Sequence, residues 1–383
     1  MNDTYCIFSA LFAPHIGGVE KYTENLSKAL ASHGNRVFIV TSNTENVEAT
    51  EAIAQNVEVI RLPCHKLLGG RLPLPKRNQE YRKRFDHLQH LGITQIIINT
   101  RFYPHSLEGA RLAQSLGITP IVIEHGSAHL TLGHPAADRF IEAYEHAVTH
   151  ELKRYPSCYY GVSEACCTWL EHFGLHAQGI LSNAIDAAAF RNQSSGRSFR
   201  DELQLPIDSF VVAYVGRLTP EKGIPSLVRA AKIMSSSSRP IHIFIGGDGP
   251  LRKELEADAA KNCHFLGSLT SPDVAALMMD ADAFCLPSRS EGFSTALLEC
   301  AACGAIPIAT NVGGMKEIAP TEEYGITLPS SDSLEIAGAI SFLSGRNELC
   351  KNMSEKLINR LENRFTWGKT ASHLEEICSG AND

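Results

Sequence analysis

The chain has 383 residues, of which 44% are hydrophobic and 20% charged, and its formal net charge is −7. This length predicts two domains, and the composition is typical of a folded globular protein, which excludes a disordered chain. The acidic balance argues against a nucleic-acid partner, and the sequence offers no run of about 18 apolar residues that could cross a bilayer.

The N-terminal residues and the cysteines indicate the cellular compartment. Residues 1–14 lack the basic head and apolar core of a signal peptide and resemble the start of a strand instead. Eleven cysteines, an odd number in a long chain, fit reduced thiols better than a disulfide framework. We therefore expect a cytoplasmic protein.

The first half of the chain alternates short apolar segments with amphipathic ones. Predicted strands lie at Tyr5–Ala10, Arg36–Thr41, Glu58–Leu62, Gln95–Asn99, Pro120–Glu124, Ser157–Val162 and Gly179–Ser182. Predicted helices include Val19–Ser32, His105–Leu116 and Ala136–Arg154. Because most of the strands are apolar throughout, both of their faces should be covered, as in a parallel sheet.

The same alternation restarts in the second half. Predicted strands lie at Phe210–Val215, Ile241–Ile245, His264–Leu266, Ala283–Leu286, Ile306–Ala309 and Ile326–Leu328. Two successive strand–helix series predict two doubly wound α/β domains, which we assign to residues 1–184 and 185–362. The polar segment Asp186–Asp208 lies at the junction, and Phe365–Cys378 has the apolar spacing of a closing helix.

Candidate functional residues should follow strands, because ligands of open α/β sheets bind at the carboxyl ends of the strands, and two such sheets can share one cleft. Gly17 and Gly18 follow the first strand and start a helix, where bare backbone N–H groups suit an anion, although a purely structural turn is the alternative. Arg217 and Lys222 follow the first strand of the second series. Together they could neutralise a pyrophosphate, or they could form a solvated basic turn.

Two further loops follow strands of the second domain. Gly246–Pro250 is not a dinucleotide fingerprint, because Arg252 stands where a third glycine would be, but it predicts a tight turn close to a ligand. The segment Ser288–Glu299 combines hydroxyls with backbone N–H groups at Gly292–Thr295, which predicts an anion site at a helix N-terminus. Glu299 is a carboxylate in an apolar stretch, so we expect it to be buried and to accept hydrogen bonds, for example from sugar hydroxyls.

The chain also contains cysteine and histidine pairs at the spacing of reactive or metal-binding sites. Cys300 and Cys303 lie on an apolar helix without a second cysteine pair, so we interpret them as packing residues. His146 and His150 are one helical turn apart without an evident acidic third ligand, and we interpret them as surface residues. His125 directly follows a predicted strand and is expected at the mouth of the cleft.

Taken in order, these segments resemble the family-four retaining glycosyltransferases of the two-domain B-type (GT-B) fold. The resemblance covers nearly the whole chain and rests on Gly17-Gly18-Val19-Glu20, Glu124-His125-Gly126, Val162-Ser163-Glu164, Asn183-Ala184-Ile185-Asp186, Gly216-Arg217 to Lys222-Gly223, Gly247-Asp248-Gly249-Pro250, Glu291-Gly292-Phe293 to Glu299, and Gly313-Gly314 to Glu317. It implies two Rossmann-like domains that face each other across a cleft, and a C-terminal helix, residues 363–383, that returns to the first domain. It also implies that catalysis needs no metal or other cofactor.

The resemblance implies a role for each matching residue. Arg217 and Lys222 would hold the pyrophosphate of a nucleoside diphosphate-sugar donor, and Glu291 would position the donor sugar. His125 would face that sugar from the first domain, and Glu299 would bind the ribose hydroxyls. The implied donor-binding residues are Gly17, Gly18, Gly216, Gly247, Asp248, Gly249, Phe265, Gly292, Phe293, Ser294, Thr295 and Glu299; at Gly17-Gly18 the acceptor is the alternative ligand.

The predicted function is therefore retaining transfer of a sugar to a hydroxyl of a saccharide or lipid-linked acceptor. An epimerase of the same fold and a non-catalytic nucleotide-sugar-binding protein remain as alternatives. Two segments, Arg61–Phe85 and Thr131–Arg154, match no motif of the family, so the acceptor is not encoded in a recognised motif.

Arg61–Phe85 holds eight Lys and Arg against one acid, Glu80, with leucines and aromatic residues interleaved. Such a segment predicts peripheral contact with the anionic inner face of a membrane. A solvated loop and helix, or a patch for a soluble anionic acceptor, are the alternatives.

Overall fold

The structure is a computed structural model that describes residues 2–131, 135–237 and 239–380. The chain divides into two compact units. The first unit comprises Met1–Asn183 and Trp367–Asp383, and the second comprises Ala184–Thr366. Within the segment Thr131–Arg154, residues 132–134 lie outside the described residues.

The first unit is built on an eight-stranded sheet. The strands of this unit are β1 (Thr4–Ser9), β2 (Arg36–Ser42), β3 (Thr50–Ala54), β4 (Val57–Leu62), β5 (Cys64–Leu67), β6 (Leu72–Pro75), β7 (Gln95–Asn99), β8 (Ile121–Glu124), β9 (Cys158–Gly161) and β10 (Ala177–Ile180). The spatial order in the sheet is β10-β9-β8-β7-β1-β2-β4-β3, and among the described strands of this sheet only β3 is antiparallel to its neighbour. Strands β5 and β6 form a separate antiparallel hairpin.

Five helices of the first unit follow or connect these strands. They are α1 (Gly18–Ser32), α2 (Gln79–Leu88), α3 (Pro104–Leu116), α4 (Pro135–Leu152) and α5 (Glu164–Glu171). Tyr5, Cys6, Ile7 and Phe8 of β1 are all fully buried although they alternate between the two faces of the sheet. Both faces of the sheet are therefore covered, as the apolar strands predicted.

The second unit is built on a six-stranded, wholly parallel sheet. Its strands are β11 (Phe210–Val215), β12 (Ile241–Gly246), β13 (Cys263–Gly267), β14 (Ala283–Leu286), β15 (Ile306–Thr310) and β16 (Ile326–Leu328), in the spatial order β13-β12-β11-β14-β15-β16. Its helices are α6 (Ala187–Asn192), α7 (Phe199–Glu202), α8 (Ile224–Ile233), α9 (Arg252–Asp258), α10 (Ser271–Asp280), α11 (Thr295–Cys303), α12 (Met315–Ile318), α13 (Ser333–Ser344) and α14 (Asn347–Arg364). The core of this unit is one continuous cluster of buried apolar side chains.

The last helix of the chain belongs to the first unit. This helix, α15 (Trp367–Gly380), packs against α1. The Trp367 ring meets Tyr22 edge-on with 5.5 Å between ring centroids, and the Thr370 hydroxyl donates to the Ser182 carbonyl oxygen at 3.2 Å. The apolar face that the tail sequence predicted, which includes Ala371, Leu374 and Cys378, is buried.

Each sheet changes winding direction at one point. In the first unit, successive strands run outward in opposite directions from β1 and β7, and in the second unit from β11 and β14. The loops that follow two such strands separate at the carboxyl edge of the sheet and leave a crevice between them, which is where ligands of open α/β sheets bind. The fold therefore predicts one ligand-binding crevice in each unit.

The structure adds elements that the sequence patterns did not predict. Strands β3, β5 and β6 were not expected, and helix α2 was expected only in the alternative of a solvated loop and helix. Two short helices, α6 and α7, lie in the segment Asp186–Asp208. Among the described residues, none of the helices combines the length and the apolar character that crossing a bilayer requires. All eleven cysteines lie in the described part of the chain, and no disulfide joins any of them there.

Candidate functional site

The loop after β11 in the second unit carries the two predicted phosphate-binding cations. The buried Tyr214 hydroxyl donates to the Arg217 carbonyl oxygen at 2.9 Å, which fixes the backbone of the loop from below. The Arg217 side chain is 73% exposed and only loosely paired, with 3.8 Å from its Nη2 to Glu221 Oε1. Its guanidinium is therefore available to an anionic ligand.

Lys222 lies in a short 3-10 turn, Pro220–Lys222, directly before α8. Its Nζ lies 2.5 Å from Oε1 of Glu291, and both side chains are largely buried. The Ser288 hydroxyl donates to the same Glu291 oxygen at 2.9 Å. The structure thus joins two residues that are 69 positions apart in the sequence and that were predicted to serve the same reaction.

Two glycines allow the loop after β12 to pack directly on the loop after β11. A Cβ atom at Gly247, where φ is +137°, would lie 1.9 Å from the Gly216 carbonyl oxygen, and a Cβ at Gly249 would lie 2.5 Å from the Leu218 carbonyl oxygen. The Leu218 N–H donates to the Asp248 carbonyl oxygen at 2.9 Å. These glycines are required for backbone-to-backbone packing, which builds one wall of the crevice.

The side chains of Asp248 and Phe265 lie near this wall, and each contacts other residues of the second unit. One carboxylate oxygen of Asp248 accepts from the Gly249 N–H at 2.7 Å, and the other lies 3.2 Å from Arg252 Nη1. Asp248 therefore acts within its own loop. Phe265 is half-buried on β13, where it packs against the core.

The loop after β14 leads into α11 and contains Gly292, Phe293 and Ser294. Ser294 is the N-cap of α11, its side chain makes no capping hydrogen bond, and its backbone N–H donates to the Gly313 carbonyl oxygen at 2.9 Å. The Gly313-Gly314 turn after β15 has positive φ at both residues and packs on this loop: a Cβ at Gly314 would lie 2.5 Å from the Phe293 ring. The start of α11 is thereby held at the crevice.

Two residues of α11 were also predicted to bind the donor. Thr295 is its first residue and is half-buried. Glu299, which was expected to be buried, is half-buried instead. Leu297, Leu298 and Cys300 of α11 are fully buried, whereas Glu299 lies on a part of the helix that keeps some exposure.

The first unit contains a cavity of about 190 Å³ at its own change of winding direction. It is lined by residues that follow β1, β7 and β8, among them Leu11, Arg101 and His125. His125 thus lies where its position after a strand predicted. The pocket also contains charged residues that the sequence patterns did not single out.

His125 is held by a chain of hydrogen bonds. Its Nε2 lies 2.9 Å from Asn99 Oδ1, and the Asn99 amide donates to Thr23 Oγ1 at 2.8 Å. The Tyr22 ring contacts the imidazole edge-on at 4.8 Å. Enclosure by these groups lowers the pKa of His125 to about 3, so the ring is neutral at ordinary pH, with Nε2 as the donor.

A buried cluster of charges supports the wall of this pocket. Arg101 is fully buried, with its Nε 3.4 Å from Glu124 Oε2 and its Nη2 3.2 Å from Glu145 Oε2. Its guanidinium lies over the Phe173 ring at 3.5 Å. Glu124 accepts the backbone N–H groups of His125 and Gly126 at 3.0 and 2.9 Å. This carboxylate therefore shapes the backbone on either side of His125.

The carboxylate of Glu20 lies beside the Gly17-Gly18 turn. A Cβ at Gly17 would lie 2.2 Å from Glu20 Oε2, so the glycine makes room for this carboxylate beside the start of α1. Glu20 Oε1 lies 3.0 Å from His15 Nδ1, and burial raises the pKa of Glu20. The nearby carboxylate disfavours a phosphate and favours hydroxyl groups at this turn.

The basic segment Arg61–Phe85 is a hairpin followed by a helix. The exposed apolar residues are at its tip, where Leu67 is 43% and Leu68 is 50% exposed, with Lys66 and Arg71 on either side. Two residues that the sequence analysis counted in this segment are not at the surface. Arg61 is buried and donates to the Ala13 carbonyl oxygen at 3.0 Å. Tyr81 is buried as well, because it belongs to the core of the first unit.

Comparison with solved structures identifies the fold class. A sucrose-phosphate synthase from Thermosynechococcus elongatus superposes with a TM-score of 0.75 at 20% identity, over 99% of each chain. Anabaena HepE, in its complex with UDP-glucose, superposes with a TM-score of 0.70 at 17% identity, over 98% of this chain and 99% of that one. Likenesses at this level of identity concern the fold, which is that of the GT-B glycosyltransferases.

Sequence comparison identifies the family. The profile described as "Glycosyltransferase Family 4" matches residues 16–189, and the one described as "Glycosyl transferases group 1" matches residues 196–360. Together the two profiles span most of the chain. The chain belongs to the group 1 glycosyltransferases of the GT-B fold and is a glycosyltransferase.

Two relatives are similar over the whole chain. An uncharacterized glycosyltransferase of Methanocaldococcus jannaschii is 23% identical over 97% of both chains. A component of the phosphatidylinositol N-acetylglucosaminyltransferase of Arabidopsis thaliana is 24% identical over 96% of this chain and 80% of its own length.

Proposed function

We propose that this glycosyltransferase moves a sugar from a nucleoside diphosphate-sugar to a hydroxyl acceptor with retention of configuration, and that no metal ion assists at the pyrophosphate. The observation that carries the proposal is the meeting of Arg217, Lys222, Glu291 and the start of α11 where the sheet of the second unit changes winding direction. Two cations and a helix N-terminus form a site suited to a diphosphate.

Departure of the nucleotide needs stabilisation of the charge that builds on its diphosphate. Arg217 supplies a planar, exposed guanidinium, and Lys222 supplies a point charge. Together they take the part that a divalent cation plays at a leaving phosphate in other transferases. The proposed class of donor agrees with the UDP-glucose held by Anabaena HepE.

Glu291 has a defined part in this proposal. It holds the Lys222 ammonium at 2.5 Å and accepts from Ser288, so one of its carboxylate oxygens is engaged in positioning. We assign the Glu291 side chain, with the amides that follow, to positioning the donor sugar. Attack by the acceptor on the face from which the nucleotide leaves would then give retention without a covalent intermediate on Glu291.

His125 is proposed to bind a hydroxyl of the donor sugar. Its Nε2 is engaged by Asn99, whereas its Nδ1 has no hydrogen-bond partner among the residues that the structure describes. Because burial keeps the ring neutral, Nδ1 is an acceptor for a hydroxyl and is not a general acid.

A lipid-linked acceptor is the variant of the proposal that we favour. The hairpin tip combines exposed Leu67 and Leu68 with Lys66 and Arg71, which suits insertion at an anionic lipid surface. The name of the Arabidopsis relative refers to phosphatidylinositol, which is a lipid. A peripheral position at the inner face of a membrane follows from this variant.

Products distinguish the proposal from its alternatives. The protein is incubated with a panel of nucleoside diphosphate-sugars and with lipid-linked and free saccharide acceptors, in excess chelator, and free nucleoside diphosphate and glycosylated product are measured. We expect both to appear together, with the anomeric configuration of the donor. Isomerised donor without an acceptor would indicate an epimerase, binding without any turnover would indicate a binding protein, and activity that returns only with Mg²⁺ or Mn²⁺ would overturn the metal-free mechanism.

A further inference from the structure

Three histidines from separate elements of the first unit meet beside the pocket wall. His129 lies in the loop after β8, His146 on α4, and His172 at the C-terminal cap of α5. One ring nitrogen from each lies within 4.8 Å of the others. His146 is exposed, as its interpretation as a surface residue predicted, but the fold also brings it two histidine neighbours that are distant in the sequence.

One of these rings has a fixed protonation pattern. His129 Nδ1 lies 3.0 Å from Oε2 of Glu145, a carboxylate with 1% side-chain exposure whose other oxygen accepts the Leu130 N–H at 2.9 Å. Because a carboxylate only accepts, Nδ1 must be the donor. A carboxylate that orients an imidazole in this way is the usual support behind a metal-ligating histidine.

The other nitrogen of His129 has no hydrogen bond. His129 Nε2 is buried and makes no hydrogen bond among the described residues, and the nearest carboxylate, Glu142 Oε1, is 3.8 Å away. An unpaired buried nitrogen costs free energy, and no ring of the cluster donates to another among these residues. A cation between the three rings would use the lone pair of His129 and those of its neighbours.

Aromatic neighbours pack against two of the three histidine rings and orient them. His172 stacks on Trp169 with an interplanar angle of 3° and a centroid distance of 4.8 Å, and Phe173 meets the His129 ring nearly at a right angle. Zinc binds imidazole at about 2.0–2.1 Å, which places tetrahedral ligands about 3.4 Å apart, so small side-chain rotations close the site. Two carboxylates, Glu142 and Glu145, offset the charge of the cation and of the buried Arg101.

We propose that His129, His146 and His172 bind one divalent transition-metal ion of the zinc type, with Glu145 orienting His129 from behind. The fourth position is taken by water or by Glu142. The ion ties the loop after β8 to α4 and α5, and it thereby holds the wall that Glu145 and Trp169 contribute to the pocket. It is separate from the phosphate-binding loops, which are in the other unit, and it takes no part in the proposed metal-free chemistry.

Metal titration tests the site without any enzyme assay. Protein freed of its purification tag and stripped with chelator is titrated with ZnCl₂, and with CoCl₂ as a coloured substitute. We expect one equivalent to bind, a visible absorption band of four-coordinate cobalt, and a melting temperature that rises with zinc. His172→Ala should weaken binding by at least about tenfold. This variant is preferred to one at His129 because His172 is exposed and its loss leaves no buried carboxylate without a partner.

His150→Ala is the matched control, because His150 lies one turn beyond His146 on the same helix and outside the cluster. We expect it to bind zinc as the unsubstituted protein does. Absence of stoichiometric binding would overturn the proposal. So would binding that survives His172→Ala and fails in His150→Ala, which would place the ion on the His146–His150 pair at the surface.

Discussion

At the scale of single residues, the proposed chemistry depends on the two cations of the loop after β11. Arg217→Ala and Lys222→Ala should each lower turnover by about 10²-fold, because each removes one preorganised charge from the leaving diphosphate. Initial rates of nucleotide release measure this. Lys232→Ala is the control, since Lys232 lies further along the same segment on α8 and makes an exposed ion pair with Asp258.

Near-normal rates in both single variants would remove the proposed donor site. A rate loss in Lys232→Ala as large as in the other two would also count against it, because that effect could not be assigned to the phosphate.

The neutral state of His125 predicts a pH effect on stability. The pKa of His125 is lowered to about 3 by burial, whereas an unfolded histidine titrates near 6.5. As the pH falls from about 6.5 towards 3, the unfolded chain binds a proton that the folded chain does not, so the free energy of unfolding decreases. His125→Gln should therefore lose less stability than the unsubstituted protein between pH 7 and pH 5.

Urea denaturation at the two pH values measures this difference. The pKa of the buried His105 is also lowered, but His105 is present in both proteins and cancels in the comparison. Equal losses in the two proteins would show that His125 titrates normally in the folded state.

Sequence reasoning reached some of these residues and missed others for a definable reason. Lys222, Glu291 and His125 follow strands, so a topological rule finds them without knowledge of their partners. Arg101 also follows a strand, but its partners Glu124 and Glu145 come from distant segments, and nothing local marks it as a buried cation.

At the scale of elements, the loops after β11 and β12 form one packed wall that depends on Gly247. Gly247→Ala should lower the free energy of unfolding by about 2 kcal/mol or more, because the new Cβ meets a backbone oxygen that cannot rotate away. Gly338→Ala is the control: Gly338 is an exposed residue within α13 with open space around it, so alanine should raise stability by about 0.5–1 kcal/mol.

Denaturant unfolding of both variants gives the comparison. A Gly247→Ala protein as stable as the unsubstituted one would mean that the two loops do not pack as described.

The β5–β6 hairpin carries the prediction of membrane contact. The full chain should co-sediment with anionic vesicles and release them at high salt, since each basic residue near the surface contributes about 1 kcal/mol at low salt. Replacing Leu67 and Leu68 with serine should weaken binding, because these are the exposed apolar residues at the tip. Leu334→Ser is the control, since Leu334 is an exposed leucine on α13 of the other unit.

Equal sedimentation of the tip variant and the unsubstituted protein would exclude the hairpin as the contact. Negligible sedimentation with anionic vesicles at low salt would contradict the prediction of membrane contact. A soluble anionic acceptor would then become the better explanation of the basic residues.

The elements that the sequence predicted are those with buried cores. Strands such as β7 and β11 agree with prediction residue for residue, because uniformly apolar runs between polar turns leave little freedom in their bounds. Strands β3 and β5 were not predicted because they are largely exposed and have no such run, and β6 was not predicted because it is short and contains two prolines. Helix α6 had a detectable signal, since Asp186 caps it by accepting the Ala189 N–H.

At the scale of the whole molecule, two α/β units divide the proposed work. The second unit offers cations and a helix N-terminus for a diphosphate, whereas the pocket of the first unit offers a neutral histidine and carboxylates that suit hydroxyl groups. The division could be predicted from the repeated strand–helix series and the charge types of the loops. The zinc-type cluster could not, because its three histidines share no sequence spacing.

The central claim is that the second unit binds a nucleoside diphosphate-sugar through Arg217 and Lys222. Melting temperatures measured across a panel of such donors test it most directly, because a ligand that binds only the folded chain raises the melting temperature. The account predicts that at least one donor stabilises the unsubstituted protein and that the shift is lost in the Arg217→Ala, Lys222→Ala double variant. No stabilising donor, or a full shift in the double variant, would contradict it.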